Sequence, residues 1–170
     1  MIYSTLMQQM NNAIVKVGIL IQKGRELLLI KERGWADKKY HWNIVKGSFD
    51  PKKDADLFET AEREAKEEAG ASIRIKNLLN ILYLKKLSGV FMQFNFVVDL
   101  VGSNVTIANK KKQRSYSLNE DIIELRFFSK TELEKMKKKE FIGERAYLSV
   151  QAWLREKNYP TKLLRSVKNY

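Results

Sequence analysis

Residues 57–69 constrain the fold most, because they combine helix start and stop signals with a row of small side chains. Asp56, with Glu59 three residues later, resembles a capping box, and Gly70 follows where a left-handed C-terminal residue belongs. One face of this helix carries Leu57, Ala61, Ala65 and Ala69 at intervals of four. Small side chains allow close approach, so the segment is predicted to be a helix that lies against a β-sheet.

The segments on both sides of this helix have strand patterns. Strands are predicted at 14–22, 26–31, Asn43–Val45, 72–84, 90–100 and 122–128. The first two are joined by Lys23-Gly24-Arg25, which is typical of a hairpin turn. Strands, a helix, more strands and then helices predict a mixed α/β domain. With no internal repeat and only two prolines, residues 1–170 are predicted to form a single domain.

Two further helices are predicted near the C-terminus. Ser129 and Glu132 form a second capping-box pattern, which opens a short helix at 130–138. A final amphipathic helix is predicted at about 143–157, with one apolar face made of Tyr147, Val150 and Leu154.

Three carboxylates share one face of the helix at 57–69. Glu64 lies three and four positions before Glu67 and Glu68, so all three side chains are neighbours on a helix. Hard divalent cations such as Mg²⁺ prefer oxygen ligands, and this face would offer several. A solvated acidic face is the other interpretation, and the spacing alone leaves both open.

Composition narrows the chemistry further. The chain has no Cys and one His, His41, which has no partner in the sequence, so thiolate zinc sites, cysteine nucleophiles and His-rich metal sites are excluded. Any metal would be held mainly by oxygen ligands. Lys and Arg number 32 against 20 Asp and Glu, a net charge of +12. This excess favours polyanionic ligands, although a solvated lysine-rich surface explains it equally well.

The sequence around these carboxylates resembles the Nudix box. The family pattern is Gly, five residues, Glu, seven residues, then Arg-Glu-U-x-Glu-Glu-x-Gly-U, in which U is a bulky aliphatic residue. The charged and glycine positions of the second half are matched by Arg63, Glu64, Glu67, Glu68 and Gly70, and the two U positions by Ala65 and Ala71. Gly47, after a short predicted strand, resembles the opening glycine, which gives a box of about 47–71.

The first half of the box departs from the pattern. The loop from Gly47 to Arg63 is about two residues longer than in the family, and the first Glu would fall on Lys53 or Ala55. Asp54 and Asp56 are the acidic residues that could replace it. The missing Glu motivates an alternative hypothesis, a catalytically weakened Nudix-fold module that binds nucleotides or regulates.

The resemblance implies a fold, a reaction and a set of residues. The fold is an α/β/α sandwich with a central mixed β-sheet, and the reaction is Mg²⁺-dependent hydrolysis of a diphosphate linkage, with Mn²⁺ as a substitute metal. The implied metal ligands are Gly47, Glu64, Glu67 and Glu68. The implied catalytic residues are Glu64, Glu67, Arg63 as the group that orients the carboxylates, and Glu120 from a later loop as an alternative general base. The substrate would be a nucleoside diphosphate derivative or a dinucleoside polyphosphate.

Four residues near the box are candidates for substrate binding. Lys46 and Arg33 could contact phosphate, and the rings of Trp35 and Tyr40 could stack on a nucleobase. The segment Trp42-Asn43-Ile44-Val45-Lys46-Gly47 is similar to the Trp-x-x-Pro-Lys-Gly lead-in of diadenosine polyphosphate hydrolases, with Val45 in place of the proline.

Partner and location follow from the remaining patterns. The basic second half motivates another alternative, an RNA 5′-end pyrophosphohydrolase, but a small nucleotide substrate is favoured. The N-terminus lacks a signal-peptide pattern, and no apolar run approaches the ~20 residues of a membrane helix. A cytoplasmic protein with no membrane association is therefore expected, and the sequence does not indicate its oligomeric state.

Overall fold

The computed structural model describes residues 12–86, 89–107 and 121–167. Its strands are β1 (Asn12–Lys23), β2 (Glu26–Arg33), β3 (Tyr40–Asn43), β4 (Val45–Ser48), β5 (Ser72–Lys86), β6 (Gly89–Val101), β7 (Ile122–Ser129) and β8 (Tyr159–Pro160). Its helices are α1 (Leu57–Ala69), α2 (Lys130–Lys135) and α3 (Glu144–Leu154), with 3-10 turns at Lys138–Glu140 and Thr161–Leu163. The predicted strands outside residues 43–45 are all present and slightly longer than predicted.

The strands form one mixed sheet in the order β3-β2-β1-β6-β5-β8, with β4 also paired to β1 and β7 to β2. Strand β1 pairs in parallel with β6 from Asn12↔Gly89 to Gln22↔Asp99, and antiparallel with β2 and β4. The β1–β2 hairpin is short, because only Gln22 and Lys23 pair across it before β4 takes the same edge of β1. The parallel β1–β6 pair among antiparallel neighbours makes the sheet mixed, as predicted.

Helices cover both faces of this sheet. On one face the buried alanines of α1 pack with Leu28 and Ile30 of β2. On the other face Leu133 of α2 and the buried side of α3 pack with Leu27 and Leu29. Alternate residues of β2 thus enter two different cores, which is the burial pattern of a strand covered on both sides. The predicted α/β/α sandwich is confirmed.

The prediction of one strand at Asn43–Val45 was wrong. Strand β3 ends at Asn43 and pairs with β2, whereas β4 begins at Val45 and pairs with β1. The side chain of Asn43 accepts a hydrogen bond from the backbone N–H of Ile44 at 2.9 Å. That N–H is therefore satisfied locally, and the chain changes its pairing partner at this point.

Both C-terminal helices are shorter than predicted, although the Ser129–Glu132 capping box is present. Helix α2 ends at Lys135, because Met136 has an extended backbone and packs its side chain into the core. Helix α3 turns a different face to the sheet than predicted: Val150 is buried as expected, but Tyr147 and Leu154 only flank the core. Its remaining buried residues are Ala146, Ser149 and Trp153. Within the described part of the chain, no helix has the length and apolar content needed to cross a membrane.

Candidate active site

The caps of α1 fix where its acidic face lies. Asp56 Oδ1 accepts hydrogen bonds from the backbone N–H groups of Phe58 and Glu59 at 2.8 and 2.9 Å, and Gly70 ends the helix with φ of 58°. The Glu59 carboxylate accepts from Ala55 N at 2.6 Å rather than from Asp56 N, so the predicted capping box is displaced by one residue. Ala61, at 0% exposure like the other alanines of its row, holds α1 against the sheet.

The acidic face of α1 meets strand β4 at Gly47. A Cβ atom built on Gly47 would lie 1.8 Å from Cδ and 1.9 Å from Oε1 of Glu64, so only a glycine leaves room for this carboxylate. The backbone N–H of Lys46 donates to Oε2 of Glu68 at 3.1 Å. The glycine is therefore required by space, and β4 holds two of the three predicted ligand side chains by direct contact.

Replacing Gly47 by Ala is expected to lower both catalytic activity and stability. The added methyl group would push the Glu64 carboxylate away from β4, and we expect a loss in kcat/KM of about 10–100-fold with a destabilisation of about 1–3 kcal/mol. Steady-state kinetics and urea denaturation measure the two effects. Ser48→Ala, at the exposed next position of β4, is the matched control. Full activity of Gly47→Ala would contradict the conclusion that a glycine is needed there to leave space for Glu64.

Arg63 connects the carboxylates of the box. Its Nη1 donates to Oε1 of Glu64 at 2.7 Å and to Oε2 of Glu67 at 3.2 Å. Its Nε and Nη2 donate to the two oxygens of Asp54 at 2.8 and 2.9 Å, and Nη2 also reaches the carbonyl of Ser48. These bonds raise the pKa of the guanidinium further, the pair with Asp54 contributing most. Arg63 thus holds three carboxylates in fixed directions.

Asp54 supplies a carboxylate in the loop where the family pattern has its first Glu. It is buried and, besides Arg63, accepts from Thr60 Oγ1 at 3.0 Å and from Asp50 N at 3.1 Å. Hydrogen bonds from Arg63, in the main, lower its pKa to about 2. Asp56, the other acidic residue of the loop, caps α1 instead. The longer loop therefore still gives Arg63 a bidentate partner.

The donor set suits a hard divalent cation. Glu64, Glu67 and Glu68 provide only carboxylate oxygens, and Arg63 shares its single positive charge with Asp54 as well, so the cluster keeps a negative excess. As the described side chains stand, no three acidic or histidine residues surround one metal position. In this arrangement Nη1 of Arg63 donates to the carboxylates of both Glu64 and Glu67.

A cavity of about 510 Å³ adjoins the acidic face. Lys46 joins the two, because its backbone contacts Glu68 while its Nζ donates to Glu32 Oε1 at 3.1 Å inside the cavity. The buried Glu32 carboxylate also accepts from Asn43 Nδ2 at 2.9 Å. A volume of this size is typical of small-molecule sites, so the acidic face and the cavity can act on one ligand together.

The structure brings only part of the predicted substrate-binding set to this cavity. Lys46 and Trp35 line it, and the Trp35 ring is 79% exposed. Within the described residues, Arg33 and Tyr40 lie outside its lining: Arg33 Nε donates to the carbonyl of Lys38. The Tyr40 hydroxyl donates to Asp121 Oδ2 at 2.7 Å, which raises the Tyr40 pKa. Glu120, the predicted alternative base, lies outside the described residues.

Sequence reasoning missed several cavity residues. Glu32, Gln93 and Arg145 come from β2, β6 and α3, and no local pattern links them. His41 does have a partner: its Nε2 lies 2.7 Å from Oδ2 of Asp37, and both residues line the cavity. The spacing of four residues between these two was the one available signal.

Residues 13–149 match the model of the NUDIX domain. The match spans more than half of the chain and includes the acidic face, Gly47 and all the described residues that line the cavity. The chain therefore belongs to the Nudix family. Comparison with curated protein sequences gave no match.

Solved structures agree with this family at low sequence identity. A NUDIX hydrolase from Nitrosomonas europaea superposes with a TM-score of 0.71 at 19% identity, covering 92% of this chain and 98% of the other. A MutT protein from Methanosarcina mazei Go1 gives 0.61 at 19% identity, covering 86% and 96%. An ADP-ribose pyrophosphatase from Streptococcus suis 89-1591 gives 0.58 at 18% identity, covering 84% and 90%. At these identities the structures show a shared fold.

Family and fold together support a Nudix pyrophosphohydrolase, an enzyme class that generally uses divalent metals such as Mg²⁺. The predicted similarity to the subgroup of diadenosine polyphosphate hydrolases is not supported by these comparisons. It was based on residues 42–47, where the diagnostic proline is replaced by Val45.

Proposed function

We propose that this protein hydrolyses the diphosphate linkage of a small nucleoside diphosphate derivative in a Mg²⁺-dependent reaction. The observation that carries the proposal is the cluster of Glu64, Glu67 and Glu68 beside the cavity, in which Glu64 packs against Gly47 and Glu68 accepts from the backbone of Lys46. A diphosphate at the acidic face and an organic group in the cavity would use both parts of the site at once.

The metal would be held by Glu67 and Glu68, with Glu64 and the carbonyl of Gly47 as further ligands. When bound, a divalent cation neutralises the charge of the diphosphate and lowers the pKa of a bound water. The residues of the chain prepare this site. Arg63 fixes the directions of the Glu64 and Glu67 carboxylates, and the backbone N–H of Lys46 fixes that of Glu68.

The other roles follow from charge and position. Lys46, whose backbone contacts the acidic face and whose Nζ lies on Glu32 in the cavity, would contact a phosphate oxygen of the substrate. The proton of the attacking water would pass to a carboxylate, for which Glu64 and the later-loop Glu120 are the candidates. Trp35 would stack on the substrate from the rim of the cavity, whereas Arg33 and Tyr40 would act farther out.

Small nucleotides are the favoured substrate class. The similar structures include proteins named an ADP-ribose pyrophosphatase and a MutT protein, which supports a nucleotide with a diphosphate. The cavity has the size of a small-molecule site. The basic residues Lys135–Lys139 are exposed, and Lys138 pairs with Glu144, so in this part of the structure they form a solvated surface rather than a groove for RNA.

A substrate panel tests this function directly. The purified protein is assayed with Mg²⁺, Mn²⁺ or EDTA on ADP-ribose, UDP- and GDP-sugars, nucleoside triphosphates, dinucleoside polyphosphates and 5′-triphosphorylated RNA. We expect metal-dependent cleavage of at least one small nucleotide at its diphosphate, and no cleavage in EDTA. Nucleotide binding without turnover across the panel would instead support the binding-module hypothesis. Preferential, salt-sensitive cleavage of RNA would support the RNA-end hypothesis.

A further inference from the structure

Arg145, in the first turn of α3, places a cation in the wall of the cavity. The side chain is half-buried, its Nη1 donates to Oε1 of Gln93 at 3.2 Å, and its guanidinium carbon lies 4.0 Å from the ring centroid of Phe91. Burial lowers the pKa of Arg145, and among the described residues no carboxylate offsets this effect. A guanidinium remains charged in proteins, so this cation is held in place without a countercharge from the described residues.

The other charged groups of the cavity are already matched with each other. Glu32 accepts from Lys46 and Asn43, and Asp37 accepts from His41. A guanidinium has five N–H donors, and the described protein groups take one of those on Arg145, through Gln93. Arg145 therefore brings several further hydrogen-bond donors to the cavity, and a ligand group that faces it must present acceptors.

Aromatic rings in the lining of the cavity favour a flat ligand group. The rings of Trp35 and Phe141 line it, and the guanidinium of Arg145 lies over the ring of Phe91. A planar fork of donors matches two adjacent acceptors, and among the purine bases the O6 and N7 atoms of a 6-oxopurine provide that pair. Adenine instead carries an amino donor between its ring acceptors N1 and N7, which would oppose the donors of Arg145.

We propose that this cavity binds the base of the substrate and that Arg145 selects a 6-oxopurine, guanine or hypoxanthine, over adenine. The inference rests on the proposed function, because it assigns the cavity to the nucleoside part of the substrate whose diphosphate lies at the acidic face. Arg145 is then a specificity-determining residue, and Gln93 and Phe91 are its positioning residues.

Binding of mononucleotides tests this assignment without any turnover. GMP, IMP and AMP have no diphosphate linkage to cleave, and isothermal titration calorimetry measures their affinities for the wild type, Arg145→Ala, Arg145→Lys and the control Arg155→Ala, at the exposed end of the same helix. We expect the wild type to bind GMP and IMP at least about 10-fold more tightly than AMP. Arg145→Ala should lose about 10–100-fold in GMP affinity and change AMP affinity by less than about 3-fold, with Arg145→Lys intermediate and Arg155→Ala unchanged.

Equal affinity of the wild type for GMP and AMP would overturn the proposal. An equal loss of both affinities in Arg145→Ala would also overturn it, since a merely structural residue has that effect, and the melting temperature of each variant identifies it. Because the readout is binding, the two proposals fail separately. Selective GMP binding with no hydrolysis in the panel would reject the proposed function alone, and hydrolysis without base selectivity would reject this inference alone.

Discussion

Glu67→Gln and Glu68→Gln are each expected to lower kcat on the order of 10²–10³-fold in the presence of Mg²⁺. The amide keeps the size of the side chain but loses the negative charge that would hold a cation. Glu67 is the cleaner of the two tests, because its side chain is partly exposed and makes one long bond to Arg63 at 3.2 Å. Glu68 is buried and holds the backbone of Lys46, so its variant also requires a stability measurement.

Glu62→Gln is the matched control for this pair. Glu62 lies exposed on the same helix, away from β4, so its substitution should leave kcat within about 2-fold. When activity is measured against Mg²⁺ concentration, Glu67→Gln should need a higher Mg²⁺ concentration for half-maximal activity than the wild type. Glu62→Gln should need the same concentration as the wild type. Activity that survives both Glu67→Gln and Glu68→Gln would reject the proposed metal site.

Asp54→Asn is expected to destabilise the protein by about 2–4 kcal/mol at pH 7, measured by urea denaturation in EDTA. Asp54 is buried, and the variant leaves Arg63 without a charged bidentate partner. The folded state lowers the pKa of Asp54 from 3.8 to about 2. This carboxylate therefore stabilises the fold fully above pH 4, and its contribution is lost as the pH falls from about 4 through about 2.

The stability difference between wild type and Asp54→Asn should consequently shrink as the pH is lowered below 4. Glu134→Gln, at an exposed position of α2, provides the control and should change stability by less than about 0.5 kcal/mol at either pH. A difference between wild type and Asp54→Asn that is small at pH 7, or that does not change with pH, would mean that Asp54 is not the partner that stabilises Arg63.

The fold was predictable where the signals are local. Asp56, Gly70 and the alanine row of α1 each act within one or two turns of the chain, and all three have the structural effect that the sequence predicted. The buried face of α3 was not predictable in this way, because Ala146 and Ser149 are buried there while the larger Tyr147 only flanks the core. Small residues at a close helix–sheet contact carry little apolar signal, so side-chain size misled the prediction.

The candidate site divides in the same way. The carboxylates of α1 and their link to Arg63 follow from spacings of one to four residues, which the sequence displays directly. The cavity residues Glu32, Gln93 and Arg145 are brought together only by the order of the strands and by the placement of α3. Asp54 lies between these cases: it was one of two candidates, and the hydrogen bonds distinguish it from the capping residue Asp56.

Lys46 has a consequence for how this protein can change its substrate. Its backbone N–H supports Glu68, and its ammonium group supports Glu32 within the cavity, so one residue belongs to both halves of the site. Substitutions that reshape the cavity through Lys46 or Glu32 would therefore disturb the acidic face as well, and their effects would not be additive with changes there. Arg145 and Gln93 line the cavity as another wall, on α3 and β6. New specificities are thus more accessible to evolution, and to engineering, from that wall than from β4.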